Sequence, residues 1–263
     1  LFDQDLMKRD SSASSYMDSM QKSTHQYNLI TDEQGLDAMI QKLENAPMFC
    51  FDTESTSLDV LTAELVGIAF AKEKEKADFV YLKDKDFAKI AKTKLSALLS
   101  NEKISKCGHN LKYDIGLLKS HKIEVKGTLI DTMLAHYLLH PEMKHSLDYL
   151  SETYLNYQTV HFEQLTGKKD ASVLWDIEPK RLCDYACEDV DITLQLWELF
   201  GKELKEQDME NLFYSLETPL IPVLEDMERT GVSIDTKTLD EFSTQLQEEI
   251  KSLEREIHEL AGH

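Results

Sequence analysis

Three short apolar runs, at 48–52, 65–71 and 78–82, follow one another closely and are joined by polar links. Each is shorter than an ordinary helix and carries aromatic or β-branched residues, so the spacing predicts three strands in an antiparallel meander. Ahead of them, Thr31-Asp32-Glu33-Gln34 opens a helical pattern continued by Leu36, Met39, Ile40 and Leu43. Behind them the pattern alternates: a helix over 87–99, a short strand at 104–107, a helix over 110–119 and a strand near 128–130. Helices then dominate, over 132–139, 146–154, 179–206, 209–230 and 236–261. Strands first, then strands alternating with helices, imply an α/β fold with a mixed β-sheet flanked by helices. The last helices form a C-terminal helical extension. Residues 1–26, with Ser11-Ser12-Ala13-Ser14-Ser15 and no apolar period, read as a disordered linker or tail.

The first apolar run ends in Asp52-Thr53-Glu54. Side chains alternate along a strand, so Asp52 and Glu54 leave on one face and can converge on a cation. Oxygen-only ligands suit Mg²⁺ or Mn²⁺. Taken alone, the tripeptide reads rather as the acidic loop that follows a strand. Asp114 closes His109-Asn110-Leu111-Lys112-Tyr113-Asp114, directly after Lys106-Cys107-Gly108. Gly108 is expected to permit the turn, and the helix places Asn110 and Asp114 on one face. Taken alone, the segment reads rather as a helix cap at Asn110 and a surface acid at Asp114. Tyr185-Ala186-Cys187-Glu188-Asp189 lies in an amphipathic helix whose stripe includes Leu182, Ala186, Ile192 and Leu196. Tyr185 and Asp189 share that face and point inward. A buried Asp needs a cation or a hydrogen-bond network. A tyrosine one turn away, with an ordinary pKa of about 10, suits orienting a water better than deprotonating it.

At 263 residues and 41% hydrophobic, the chain can bury one core of domain size. No run approaches the roughly 18 apolar residues of a membrane span, and no signal peptide is visible. Cys50, Cys107, Cys183 and Cys187 are too sparse for a disulfide framework, which points to a reducing, cytoplasmic setting. Cys183 and Cys187, four apart in a helix, read as buried thiols rather than metal ligands. A start at Leu1 suggests a fragment of a longer chain. The net charge of −20 argues against phosphate binding through basic side chains. Its distribution weakens the objection: residues 208–263 hold 14 acidic and 4 basic residues, while 83–126 hold 11 lysines against 5 acids. That island could meet a phosphate backbone or be a solvated lysine surface. Bound cations would also lessen the need for basic groups.

Three segments, taken in order, carry a resemblance. Phe51-Asp52-Thr53-Glu54-Ser55-Thr56-Ser57-Leu58-Asp59, Asn110-Leu111-Lys112-Tyr113-Asp114 and Tyr185-Ala186-Cys187-Glu188-Asp189-Val190-Asp191 resemble the three motifs of the proofreading 3′-to-5′ exonuclease domain of bacterial DNA polymerase I. This is the tyrosine-type branch of the four-acid, ribonuclease-H-like exonucleases. Asp131-Thr132-Met133-Leu134-Ala135, Ser146-Leu147-Asp148-Tyr149-Leu150 and Phe162-Glu163-Gln164-Leu165 are similar to the segments between. Glu217-Thr218-Pro219-Leu220-Ile221-Pro222-Val223-Leu224 and Glu228-Arg229-Thr230-Gly231-Val232 resemble the opening of the attached polymerase domain. The resemblance implies an exonuclease domain over 27–207 and a truncated, helical start of the polymerase domain over 208–263, without polymerase activity.

It also implies roles. Asp52, Glu54 and Asp189 would hold one divalent cation, and Asp52 with Asp114, through water, a second. Tyr185 would place the attacking water. Leu58 and Phe162 would wedge against or stack on the terminal bases, and Asn110 and Tyr113 would contact the frayed end. The implied partner is a single-stranded DNA 3′ end, and the implied protein is a cytoplasmic bacterial monomer. Three other readings compete: an RNA-trimming exonuclease of the ribonuclease D type, a catalytically inactive structural module, and an acidic protein-interaction domain. The polymerase-like continuation over 216–234 disfavours the first, and the joint presence of Asp52, Glu54, Asp114 and Asp189 disfavours the second. Only charge supports the third.

Overall fold

The computed structural model describes residues 25–167 and 170–262; of the tail expected over 1–26, residues 1–24 lie outside the described residues. Six strands make one sheet: β1 (Gln26–Ile30), β2 (Met48–Ser55), β3 (Leu65–Glu73), β4 (Lys76–Tyr81), β5 (Ser105–Gly108) and β6 (Leu129–Asp131). Their order is β1-β4-β3-β2-β5-β6. β2, β3 and β4 form the antiparallel meander that their spacing predicts. β5 and β6 add in parallel beyond β2, and β1 pairs in parallel with β4. The mixed sheet follows from this, with β3 alone running against the rest. The strand β1 was not anticipated, because Gln26-Tyr27-Asn28-Leu29-Ile30 has too few apolar residues to stand out from its polar surroundings.

Alternation along β2 divides the core in two. Phe49 and Phe51 face one side, packed with Leu36, Met39, Leu95, Leu111 and Leu118. These come from α1 (Glu33–Glu44), α2 (Lys85–Leu99) and α3 (Leu111–Ser120). Cys50 faces the other side, with Leu182, Ala186, Val190 and Phe200 of the long helix α7 (Pro179–Glu206). Phe49, Phe51, Phe70 and Phe79 are fully enclosed, and burial of each such side chain is worth about 1.5–3 kcal/mol. α7 starts at Pro179, after Glu178 accepts the amides of Lys180 (3.0 Å) and Arg181 (2.7 Å).

The remaining helices are α4 (Thr132–Leu139), α5 (Leu147–Leu150), α6 (Phe162–Thr166), α8 (Glu210–Leu212), α9 (Thr218–Thr230) and α10 (Thr236–Ala261). The helix expected over 146–154 is α5 followed by a wide turn, Ser151–Leu155, whose first carbonyl accepts the Tyr157 amide at 3.2 Å. Likewise 209–230 is interrupted by a wide turn at Phe213–Glu217, directly before Pro219 and Pro222 withdraw two amide donors. α6 and the 3₁₀ segment Ala171–Asp176 were missed as too short to show a period.

The chain divides into two compact units, one running through Asp226 and one from Met227. The first includes buried Phe213 and Ile221, and Glu225 paired with Lys119 at 2.7 Å. The second consists chiefly of α10, capped by Asp235 and carrying an exposed apolar row at Leu239, Phe242, Leu246, Ile250, Leu253 and Ile257. The four cysteines are free and buried, and Cys183 and Cys187 lie with sulfurs 3.9 Å apart. No described helix is long and apolar enough to cross a membrane.

Candidate metal centre

β2 continues past its apolar half through Ser55, so Asp52 and Glu54 are both strand residues, paired with Ala69 and Gly67 of β3. They extend the face begun by Cys50, toward α7. There Asp189 meets them: carboxylate oxygens of Asp52, Glu54 and Asp189 all lie within 4.8 Å of one another. Glu54 is buried and its Oε1 has no hydrogen-bond partner. A buried carboxylate oxygen without a hydrogen-bond partner, set among other acids, fits a site that binds a cation. The donor set, all oxygen, fits Mg²⁺ or Mn²⁺.

Asp114 stands apart from this triad. Thr53 occupies the opposite face of β2, and both its amide (3.0 Å) and its hydroxyl (2.6 Å) donate to Asp114 Oδ1. α3 is carried on that same face. Burial lifts the carboxyl of Asp114 to about 7 despite the two Thr53 donors. Burial also pushes Glu54 up to about 8, with the Asp114 charge adding to it. Asp52 is raised well above the ordinary range by burial and by the charges of Asp114, Glu54 and Asp189. Asp189 is raised by burial and by Glu54 and Glu188. With all four carboxyls raised, a nearby positive charge would favour their ionised forms.

Tyr185, one turn before Asp189 on α7, hydrogen-bonds to it, and burial and that carboxylate hold its phenol above the ordinary range. It is therefore a neutral hydroxyl at physiological pH. The Phe162 ring stands edge-on to Tyr185, with centroids 6.4 Å apart. Leu58 is 88% exposed in the turn after β2. Asn110 does not cap α3 with its side chain; it takes a left-handed conformation, φ 64°. Gly108 proves to be needed for space rather than for the turn, since a Cβ there would lie 2.3 Å from the Leu111 side chain. The Tyr113 hydroxyl donates to the Ser57 carbonyl (2.7 Å) and bonds to the Ser55 hydroxyl, so it holds the turn that leads to Leu58.

Sequence reasoning missed two buried supports. Asp131 accepts the amides of Asn110 (3.1 Å) and Leu111 (2.8 Å) as well as Met133 (2.9 Å), and so fixes the start of α3. Glu188, beside Asp189, faces the segment before Phe162. An acid at the end of a strand was the available signal for the first; nothing in spacing marked the second. Three lysines of the island form intramolecular pairs: Lys94 with Glu33 and Asp37, Lys119 with Glu225 and Asp226, Lys126 with Glu124. Lys106 is buried over Phe49 and donates to the Ile104 carbonyl.

Known proteins resemble this chain in sequence and in fold. A family described as 3′-5′ exonuclease matches residues 27–205. DNA polymerase I of Pseudomonas aeruginosa is 35% identical over 251 residues, covering 90% of this chain and 27% of the polymerase. That of Rhizobium leguminosarum is 34% identical, covering 90% of this chain and 26% of the polymerase. The chain thus spans about a quarter of the length of these relatives. Among solved structures, Pol1 of M. smegmatis in complex with DNA primer-template superposes with a TM-score of 0.70 at 17% identity, over 86% of this chain and 36% of that one. Brucella melitensis NrnC with bound Mg²⁺ gives 0.61 at 15% identity, over 79% and 95%. The fold is ribonuclease-H-like, and the chain belongs to the 3′-5′ exonuclease family, in the form present in DNA polymerase I.

Proposed function

We propose that this domain removes nucleotides from single-stranded or frayed DNA 3′ ends, as the proofreading part of a bacterial, cytoplasmic DNA polymerase. The observation that carries the reading is the convergence of Asp52, Glu54 and Asp189 around the unpartnered Glu54 Oε1. Asp52, Glu54 and Asp189 would hold one divalent cation, and Asp52 and Asp114 would face a second. Two such cations, when bound, supply a nucleophilic water at neutral pH and stabilise the departing 3′ oxygen. Tyr185, protonated and donating to Asp189, offers its oxygen lone pairs to the attacking water and aims it at phosphorus. Leu58 projects where it can wedge between terminal bases, and Phe162 offers a ring for stacking, which suits an editor because every base has a face. Tyr113 borders the same end of the strand, and Asn110 would join it in contacting the frayed end. Mismatched ends melt at lower cost than paired ones, so acceptance of single strands alone selects errors. The ordered run of polymerase-like segments after residue 216 favours attachment to a polymerase domain, with the domain itself monomeric.

Incubation with 3′-labelled single-stranded DNA and Mg²⁺ should release mononucleotides, and EDTA or Asp52→Ala should stop release. Equal release by Asp52→Ala would refute the assignment.

A further inference from the structure

Glu188 is one of the buried acids that the mechanism leaves unused. Glu188 is 1% exposed and next in sequence to the metal-facing Asp189, yet it points elsewhere. Its Oε1 accepts the Tyr157 hydroxyl at 2.6 Å and its Oε2 accepts the Val160 amide at 2.7 Å. A second carboxylate grips the same segment from another helix. Asp148 of α5 accepts the Thr159 hydroxyl on Oδ1 at 2.6 Å and bonds through Oδ2 to His161 Nδ1 at 2.9 Å. Residues 157–161 are thus a strap, with no regular structure of their own, tied by side chains on both flanks. The strap ends where α6 begins, at Phe162, whose ring stands against Tyr185. A buried carboxylate is costly unless it is hydrogen-bonded. Retaining Glu188 here makes sense if the strap must be held in place.

We propose that Glu188 and Asp148 are positioning residues for the exonuclease reaction: together they hold the strap 157–161 so that Phe162 presents its ring beside Tyr185 to the terminal base. The inference rests on the reading of Phe162 given above. Glu188 ties the strap to the same helix that carries Tyr185 and Asp189, so base stacking and water placement share one rigid element. Loss of the tie frees Phe162 without removing any group that touches the reacting phosphate.

The test is steady-state digestion of 3′-labelled single-stranded DNA by the whole chain with Mg²⁺. Glu188→Ala should raise KM about tenfold, the scale of one lost base-aromatic stack, while kcat stays within about threefold. Glu188→Gln should restore KM, because its oxygen can accept the Val160 amide and its amide can donate to the Tyr157 hydroxyl. Tyr157→Phe, which removes one hydroxyl and little volume, should give an intermediate KM even if Glu188→Ala folds poorly. In a Phe162→Ala background, Glu188→Ala should add almost nothing. Additive effects, a collapse of kcat shared by Glu188→Ala and Glu188→Gln, or unchanged constants in Glu188→Ala and Tyr157→Phe would each overturn the proposal. Inert wild-type protein would instead refute the exonuclease reading, so the two failures are distinct.

Discussion

Divalent cations should stabilise this protein, and the gain should grow with pH. In the cation-free site, Asp114 is lifted to about 7 and Glu54 to about 8, whereas an unfolded carboxyl titrates at about 4. Between those limits the folded chain binds protons that the unfolded chain has already lost. Stability of the cation-free protein therefore falls as pH rises through this window, and is greatest at its acid end. Binding of a cation needs the ionised forms, so protons leave as it binds and affinity climbs until about pH 8. At a concentration a hundred times the dissociation constant, stabilisation is about 2.7 kcal/mol, or about 5–10 °C in Tm for a domain of this size. Differential scanning fluorimetry with Mn²⁺, compared between about pH 6 and about pH 8.5 in buffers of equal ionic strength, reads both effects. A Tm shift of the same size at both ends, or one that survives in Asp52→Ala, would refute the account of four mutually repelling acids awaiting a cation.

The same electrostatics give Asp52→Asn an opposite signature in the absence of metal: Tm at alkaline pH should rise by about 2–4 °C as repulsion is relieved, while DNA digestion is lost. A lower Tm would count against repulsion at that position. Thr53→Val removes the 2.6 Å donor to buried Asp114 and should cost about 1–3 kcal/mol in urea unfolding. It should also move the acid limb of the activity profile upward, since Asp114 ionises less readily. Tyr185→Phe should lower kcat about 10- to 100-fold with KM little changed. Its pH profile should keep the wild-type shape, because the phenol is held protonated throughout; loss of an alkaline limb would show the phenol titrating. His136 is fully enclosed, bonded to His145 (2.7 Å) and Tyr154 (2.9 Å), and burial with the neighbouring histidines lowers it to about 4. Proton NMR should find its ring neutral at about pH 5.5, where a free imidazole is mostly charged.

The parts of the fold legible in sequence were those with a strong period. The meander at 48–82 and the helix α7 emerged from apolar spacing because tertiary packing there reinforces local pattern. β1 escaped because it is an edge strand, held at Tyr27 by a hydrogen bond to Asp191 that lies 164 residues away. The wide turns escaped because the first answers to a local carbonyl bond and the second to the prolines that follow it, rather than to hydrophobic spacing. In the site, alternation put Asp52 and Glu54 on one face and helical spacing turned Asp189 inward, but only the family resemblance joined them into one set, and the placement of Asp114 was not legible. Its position depends on Thr53, a residue with no acid-base character to draw attention. Glu188 was hidden for a related reason: a buried acid beside Asp189 reads as a surface charge unless its two hydrogen bonds are seen.

One strand organises the whole site through the simplest property of a strand. Successive residues of β2 point to opposite faces, so Asp52 and Glu54 reach the α7 side while Thr53 reaches the α3 side. The two acids meet Asp189 on one face, and the threonine between them holds Asp114 on the other. A single acid-x-acid tripeptide therefore does two jobs, supplying ligands on one face and registering a helix on the other. Removal of one residue from β2 upstream of Asp52 would turn every side chain beyond it to the other face. Asp52 and Glu54 would then face α3, Thr53 would face α7, and neither set of partners would be met. Deletion of Cys50 should for this reason abolish the Mn²⁺-dependent Tm shift and DNA digestion together, whereas Cys50→Ala, which leaves the register intact, should keep both. Survival of the metal-dependent shift in the deletion variant would show that the acids find one another without the strand.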